Sequence, residues 1–149
     1  MSKIGYQCTF NLDDCIKALG LEERGRVQQV VTEEVLKLSD PYIPFDEGNL
    51  RDSGHIENGT DVVWGGSSAL YAPYQWNGIV YEDPELHCAG FQVADGGWRS
   101  RKGVKKVPTN RKLEYQGEST RGDHWVPRML QDGGLAKIEE AARKEAGKK

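Results

Sequence analysis

Apolar residues recur at helical spacing up to Asp40, alternate briefly between Gly54 and Gly66, and return to helical spacing beyond Asp123. Leu12, Ile16 and Leu19 share one helical face, with Asn11 or Asp13 as a suitable N-cap. After Gly20 the pattern resumes as Val27, Val30, Val31, Val35 and Leu38, close to i, i+3, i+4, i+8, i+11. Glu23, Arg24, Arg26, Glu33, Glu34 and Lys37 occupy the other faces. The spacing predicts a long amphipathic N-terminal helix of about 18 residues, roughly 27 Å. Its β-branched residues are only moderate helix formers, so packing must hold it. Pro41 ends it, because the residue before a proline avoids the α region. Ahead of these helical segments, Ile4 to Phe10 read as a short edge strand or a disordered start.

The middle of the chain reads as β. "GHIENGTDVVWGG" predicts two strands joined at Asn58-Gly59, a strong hairpin signal, with Val62 and Trp64 on the more apolar face. "SSALYAPYQWNGIVYEDPELHCAGF" is aromatic and broken by Pro73, Gly78 and Pro84, which suggests a short helical turn and then a strand around Ile79 to Tyr81. The C-terminal segment is helical again. Trp125, Met129 and Leu130 form one apolar patch; Leu135, Ile138 and Ala142 form another after Gly133-Gly134. Residues 143–149 are charged and expected to fray. The order helix, strands, helix predicts one α+β domain over residues 1–149, with N- and C-terminal helices packed on an antiparallel sheet built from Ser53 to Arg121.

Charge changes this picture at one place. The chain of 149 residues carries a net charge of −3, yet Trp98 to Lys112 holds seven cations and no acid: Arg99, Arg101, Lys102, Lys105, Lys106, Arg111 and Lys112. Removing those seven charges leaves the remainder at −10. The run has no hydrophobic period and contains Gly103 and Pro108, which predicts a long loop or hairpin acting as a mobile basic arm. Its destinations are an acidic neighbour or nucleic-acid phosphate, with Trp98 available to stack on a base. With 37% hydrophobic and 29% charged residues, no apolar run approaches a membrane span, and "MSKIGYQCTF" lacks a signal-peptide core, so the expected location is cytoplasmic.

Catalytic patterns are thin. His55, His87 and His124 are available, and Cys88 with His124 is formally a nucleophile–base pair, but no nucleophile-elbow signature accompanies them. Cys8, Cys15 and Cys88 lack metal-ligand spacing and read as free thiols. Glu82, Asp83 and Glu85 cluster beside Pro84, as solvated turns do. Arg121-Gly122-Asp123 matches an adhesion tripeptide at chance level. Gly65-Gly66 and Gly96-Gly97 lack the context of a phosphate loop.

The segment "DPYIPFDEGNLRDSG" is more specific than a turn requires. Pro41 and Pro44 stiffen the chain leaving the helix, Gly48 permits a turn that other residues resist, and Leu50 can then plug the core as Ser53 starts the sheet. This segment resembles the N-terminal signature of tailed-phage minor capsid and head–tail connector proteins, in which a helix ends in an aromatic-hydrophobic-Pro step followed by Gly-x-Leu-x-x-Ser. The matching residues are Tyr42, Ile43 and Pro44, then Gly48, Leu50 and Ser53. "YAPYQWNG" is similar to the family's next step at Tyr71, Ala72, Tyr74, Trp76 and Gly78, and "WVPRMLQDGG" to its closing helix. Glu82 to Arg121 has no counterpart.

The resemblance implies a structural virion protein of the phage neck, an adaptor, stopper or tail-completion subunit that works by ring assembly without catalysis or cofactor. Its partners would be itself, in a ring of six or twelve copies, neighbouring neck or tail proteins, and non-specific DNA in the channel, with no membrane. Its place would be the virion, and the host cytoplasm during assembly. Tyr71, Tyr74, Trp76 and Tyr81 are then candidate subunit contacts, since aromatics are enriched at interfaces. An internal core is the competing reading of the same four. The alternatives from other classes are a small nucleic-acid-binding protein using residues 98–112 and a hydrolase using His124 or Cys88.

Overall fold

A computed structural model of the chain describes residues 11–45, 48–67 and 69–148. The strand reading of Ile4–Phe10 and the thiol of Cys8 lie outside the described residues. The architecture is α+β with antiparallel strand pairs, and the helices do most of the packing.

The N-terminal helical region is two helices where one long helix was expected. Helix α1 spans Leu12–Leu19 and α2 spans Arg26–Ser39. Asn11 caps α1, its side chain accepting from the N–H groups of Asp13 and Asp14 at 3.0 and 3.3 Å. Both acids sit in the first turn, where the helix dipole favours them. The break is local chemistry. Gly20 ends α1 at φ 68°, a left-handed value that favours glycine, and a Cβ there would lie 2.4 Å from Cγ of Arg26. Arg26 folds back across this glycine to donate to the Ala18 carbonyl at 3.0 Å. Leu21 is the one apolar residue between Leu19 and Val27 and it is exposed, so nothing in that gap draws a continuous helix to the core.

Helix α2 packs along α6, Leu135–Ala146. Val27 and Ile138 are buried. Helix α6 continues through the expected fraying point: Arg26 pairs with Glu145 and Lys148 adds a second ion pair to it at 2.6 Å. The second C-terminal patch is revised. Leu135 is 52% exposed, because Asp132 (ψ 30°) and Gly133 (φ 93°) break the helical path after α5, Trp125–Met129, and reset the phase of α6.

Where a single sheet was expected, the described residues form three separate two-stranded ladders. Strands β1 (His55–Glu57) and β2 (Asp61–Val63) form the hairpin at Asn58-Gly59, both residues with positive φ, in the register Ile56 opposite Val62. Strand β3 (Ile79–Glu82) pairs with β6 (Val107–Lys112) across a register irregularity. Strand β4 (Phe91–Gln92) pairs with β5 (Trp98–Arg99). A continuous sheet needs one long apolar face to bury. Here the large aromatics go instead to the short helix α4, Ala72–Asn77, to the loops and to α5. The core contains Ile43, Leu50, Ala69, Ala72 and Trp125, with Tyr42, Trp64, Trp76 and Val126 packed against it. Trp125 meets Trp64 and Trp76 edge-to-face, ring centroids 5.9 and 4.7 Å apart.

Candidate functional site

The corner after α2 is the most heavily tied segment of the described chain. Four successive backbone carbonyls, from Asp40 to Ile43, point to the stretch 120–128 and are each bonded there. Arg121 Nη1 donates to the carbonyls of Asp40 (3.0 Å) and Ile43 (2.8 Å). The Thr120 hydroxyl donates to Pro41, and the Gly122 N–H to Tyr42. Arg128 adds a contact to the Tyr42 carbonyl while bracing the loop through the carbonyls of Thr120 and Asp123. These bonds satisfy acceptors that a helix end leaves without intrahelical partners. The Tyr42 hydroxyl donates to Asp132, a bond that raises the phenol's pKa above its ordinary value.

The second half of the corner is helix α3, Asn49–Asp52, entered through Gly48 at φ 87°. It drives Leu50 into the core at 2% exposure. Ser53 closes the turn by donating to the Leu50 carbonyl and accepting from the Gly65 N–H, which fastens α3 to the chain leaving β2. Phe45 lies beneath two guanidinium groups, those of Arg51 and Arg121, 4.9 and 5.5 Å from its ring centre.

Arg121 and Arg128 therefore have structural work, which for Arg121 the adhesion-tripeptide match concealed. Replacing Arg121 with alanine should destabilise the protein by about 2 kcal/mol. That is less than two fully buried charge-assisted bonds would supply, because Arg121 is only half-buried. Thermal melts of R121A and R121K check this. The lysine variant should recover only part of the loss, since an ammonium lacks the planar stack on Phe45. An unchanged melting temperature for R121A would mean that the corner holds without it.

An open cleft of about 480 Å³ adjoins this corner. Pro44, Phe45, Gly48 and Leu50 line it from the corner, Tyr71 from the start of α4, and Trp98 and Tyr115 from the chain around β5 and β6. Trp98 is 71% exposed and Tyr71 40%. Tyr115 donates to the Gln75 carbonyl at 2.7 Å, and its phenol is pushed up to about 12, chiefly by burial and then by the charge of Asp123. The four candidate contact aromatics divide. Tyr71 and Tyr74 are exposed; Tyr74 stacks on Tyr81 at 4.9 Å, whose hydroxyl accepts from Asn77. Trp76 is half-buried and packs on Trp125 against the core.

The basic run is not a hairpin of its own. Its ends pair with two different strands, β5 with β4 and β6 with β3, leaving residues 100–106 between them. Its cations are also mostly engaged. Arg101 grips Asp83 with two bonds of 2.6 Å and reaches Glu85 at 2.8 Å. Arg111 meets Glu82 at 2.8 Å, Arg99 meets Asp95 at 3.2 Å, and Lys106 donates to the Ala89 carbonyl. Lys102, Lys105 and Lys112 are exposed and have no ion-pair partner among the described residues.

Asp83 is the anchor of this arrangement. Its side chain is nearly buried, and Oδ1 also accepts from the N–H groups of Glu85 and Leu86. The Arg101 guanidinium beside it, helped by those amides and opposed by burial, holds the carboxyl well below the usual carboxylate range. A depressed folded pKa adds stability above the unfolded value near 4 and loses it as pH falls toward the folded one. The melting-temperature gap between wild type and Asp83→Asn should therefore be widest near neutral pH and should shrink below about pH 4. A gap independent of pH would show that the carboxylate charge does not matter.

The remaining candidates are dispersed. His55 bonds the Ser53 carbonyl and Glu57 in the β1 turn, and both bonds raise its pKa. His124 contacts Asp123 at 3.1 Å and lies against the ring of Trp76. Cys88 is half-buried in the turn whose carbonyl accepts from the Asp83 N–H. Among the described residues no group of three His, Cys, Asp or Glu is placed to hold a metal ion, and no helix is long and apolar enough to cross a membrane. No family model, curated protein or solved structure matches this chain.

Proposed function

We propose that the chain is a structural subunit of a phage neck, a minor capsid or head–tail joining protein that acts by ring assembly. The observation that carries this reading is the meeting of two separate signature blocks in one open cleft: Pro44, Gly48 and Leu50 from the first, Tyr71 from the second. The carbonyls of Asp40–Ile43 are bonded by residues 120–128 of the same chain, and this held segment leads directly into the Pro44–Phe45 wall of the cleft, so binding there costs little ordering. The exposed aromatics beside it supply the contact area that subunit interfaces favour. No substrate or cofactor enters this account, and binding energy between copies is its only output.

Lys102, Lys105 and Lys112 favour a second role for the same subunit, contact with DNA phosphate or an acidic neighbour. Three exposed cations with no ion-pair partner among the described residues make a small electrostatic footprint, suited to lining a channel and too small for a sequence-reading surface. Lys106 is left out of the test because its bond to Ala89 is structural. Lys102→Glu/Lys105→Glu should leave the melting temperature within about 1 °C of wild type, since substitutions on a solvated surface cost little. The same variant should weaken assembly or DNA retention more at low salt than at high salt. Normal assembly and normal DNA retention at every salt concentration would remove the run from the mechanism.

A further inference from the structure

The cleft beside the corner carries charge of one sign. Glu114 is the one charged side chain in its wall, and it is exposed with no ion-pair partner among the described residues. Four aromatic residues, Phe45, Tyr71, Trp98 and Tyr115, and the exposed amide of Gln116 line the same cleft. Two of the rings are held before any ligand arrives. Tyr115 is fixed by its bond to the Gln75 carbonyl at 2.7 Å. Trp98 lies against Gly90, where a Cβ would fall 2.4 Å from the indole Nε1, so the missing side chain is what lets the ring settle there. Most of that indole still faces solvent.

This wall selects by charge. An anion would meet a carboxylate with no cation beside it. A purely apolar ligand would take water from Glu114 and return no hydrogen bond. A cation finds two kinds of partner, the aromatic faces and the carboxylate. Guanidinium suits both better than ammonium does, because it is planar and stacks on a ring, and its N–H groups meet a carboxylate two at a time. The chain uses the same chemistry next door. The guanidinium groups of Arg51 and Arg121 lie 4.9 and 5.5 Å from the Phe45 ring centre, and neither residue lines the cleft. They occupy Phe45, which leaves Tyr71, Trp98 and Tyr115 for a guanidinium entering from outside. A cleft of about 480 Å³ has room for an arginine side chain and the backbone on either side of it.

We infer that this cleft takes an arginine side chain presented by an extended segment of a partner protein, its guanidinium stacked on the exposed aromatic wall and paired with Glu114. This rests on the subunit-contact reading of the cleft and names the chemistry of the partner that the cleft accepts.

The probe is the peptide N-acetyl-Gly-Arg-Gly-amide, titrated into the full-length, nitrogen-15-labelled chain at a concentration where the chain is monomeric. The reporters are the indole N–H signal of Trp98, identified by its loss in Trp98→Phe, and the side-chain amide of Gln116. Both should shift saturably, and the affinity should fall as salt rises. The citrulline peptide carries a neutral urea of the same shape and should bind about tenfold more weakly. Glu114→Gln, at an exposed position, should keep its melting temperature within about 1 °C of wild type and bind the arginine peptide about fivefold more weakly. Equal binding of the arginine and citrulline peptides overturns the inference. So does an arginine peptide that moves neither reporter, or one that binds Glu114→Gln as tightly as wild type. The mass of the unliganded protein, read in parallel, separates this result from the ring reading. A fixed multiple of 16.7 kDa at higher concentration, with no peptide binding by the monomer, sinks the arginine site and leaves the ring standing. Charge-selective peptide binding by a chain that never exceeds 16.7 kDa keeps the arginine site and counts against self-assembly in solution.

Discussion

Trp125→Ala should lower the unfolding free energy by about 3–5 kcal/mol. The indole is 2% exposed and forms the joint between three parts of the chain. Trp64 reaches it from the segment after β2, Trp76 from α4, and α5 itself carries Met129, 1% exposed, one turn further on. Removing the ring deletes two edge-to-face contacts and leaves a cavity between elements whose backbones are separately tied, so the site cannot collapse freely. For a chain of this length the loss corresponds to a fall in melting temperature of roughly 10 °C or more. Trp125→Phe is the informative companion. The indole N–H has no hydrogen-bond partner among the described residues, so phenylalanine removes an unsatisfied donor together with part of the ring. It should cost well under half as much as alanine. Equal losses for the two variants would mean that the N–H, and not the ring, matters at this position.

Leu50→Ala should cost about 2–5 kcal/mol by the same reasoning, with a different consequence. Leu50 is the residue that the whole corner exists to place. Gly48 turns the chain at a φ of 87°, α3 follows for one turn, and Ser53 locks the exit. Because Leu50 also lines the cleft, alanine should enlarge the cleft and loosen α3. Gly48→Ala acts earlier in the same chain of causes. A side chain there meets left-handed strain of about 1–2 kcal/mol. Its Cβ would also lie 3.2 Å from the Phe45 ring, a contact that Phe45 must yield to accommodate. Denaturant titrations of both variants should give lowered midpoints with unchanged slope. Unchanged midpoints for both would make the segment a surface loop.

The corner was legible before the structure because its devices are local. Proline, glycine and one leucine within a dozen residues carry their own geometric meaning. Helix α2 and the Asn58-Gly59 hairpin were legible for the same reason: each is written in the spacing or turn chemistry of neighbouring residues. What escaped was long-range. The cations of the basic run and the Glu82–Asp83–Glu85 cluster were both plain in the sequence. Their pairing, Arg101 with Asp83 and Arg111 with Glu82, depends on β3 meeting β6, which no local pattern announces. Arg121 and Arg128 escaped for a deeper reason. Their partners are backbone carbonyls, which every residue has, so the bonds leave no signature in side-chain identity. The break between α1 and α2 was half visible in Gly20 and in the missing apolar positions after it. The apolar period on either side, Leu12–Ile16–Leu19 before and the valines after, invited a bridge that Arg26, folded over Gly20, prevents.

The expectation of a mobile basic arm is narrowed by the same pairings. Of the seven cations, four are held by carboxylates or a carbonyl of the same chain, which leaves Lys102, Lys105 and Lys112 as the exposed ones.

The most direct measurement is the mass of the purified wild-type protein across a concentration series, alone and in the presence of phage tails and of DNA-filled heads. A ring subunit gives one closed assembly, a fixed integer multiple of 16.7 kDa that stops growing once formed, either free in solution or retained on the tail or head. A mass of 16.7 kDa at every concentration, with no protein retained on either particle, would contradict the neck reading.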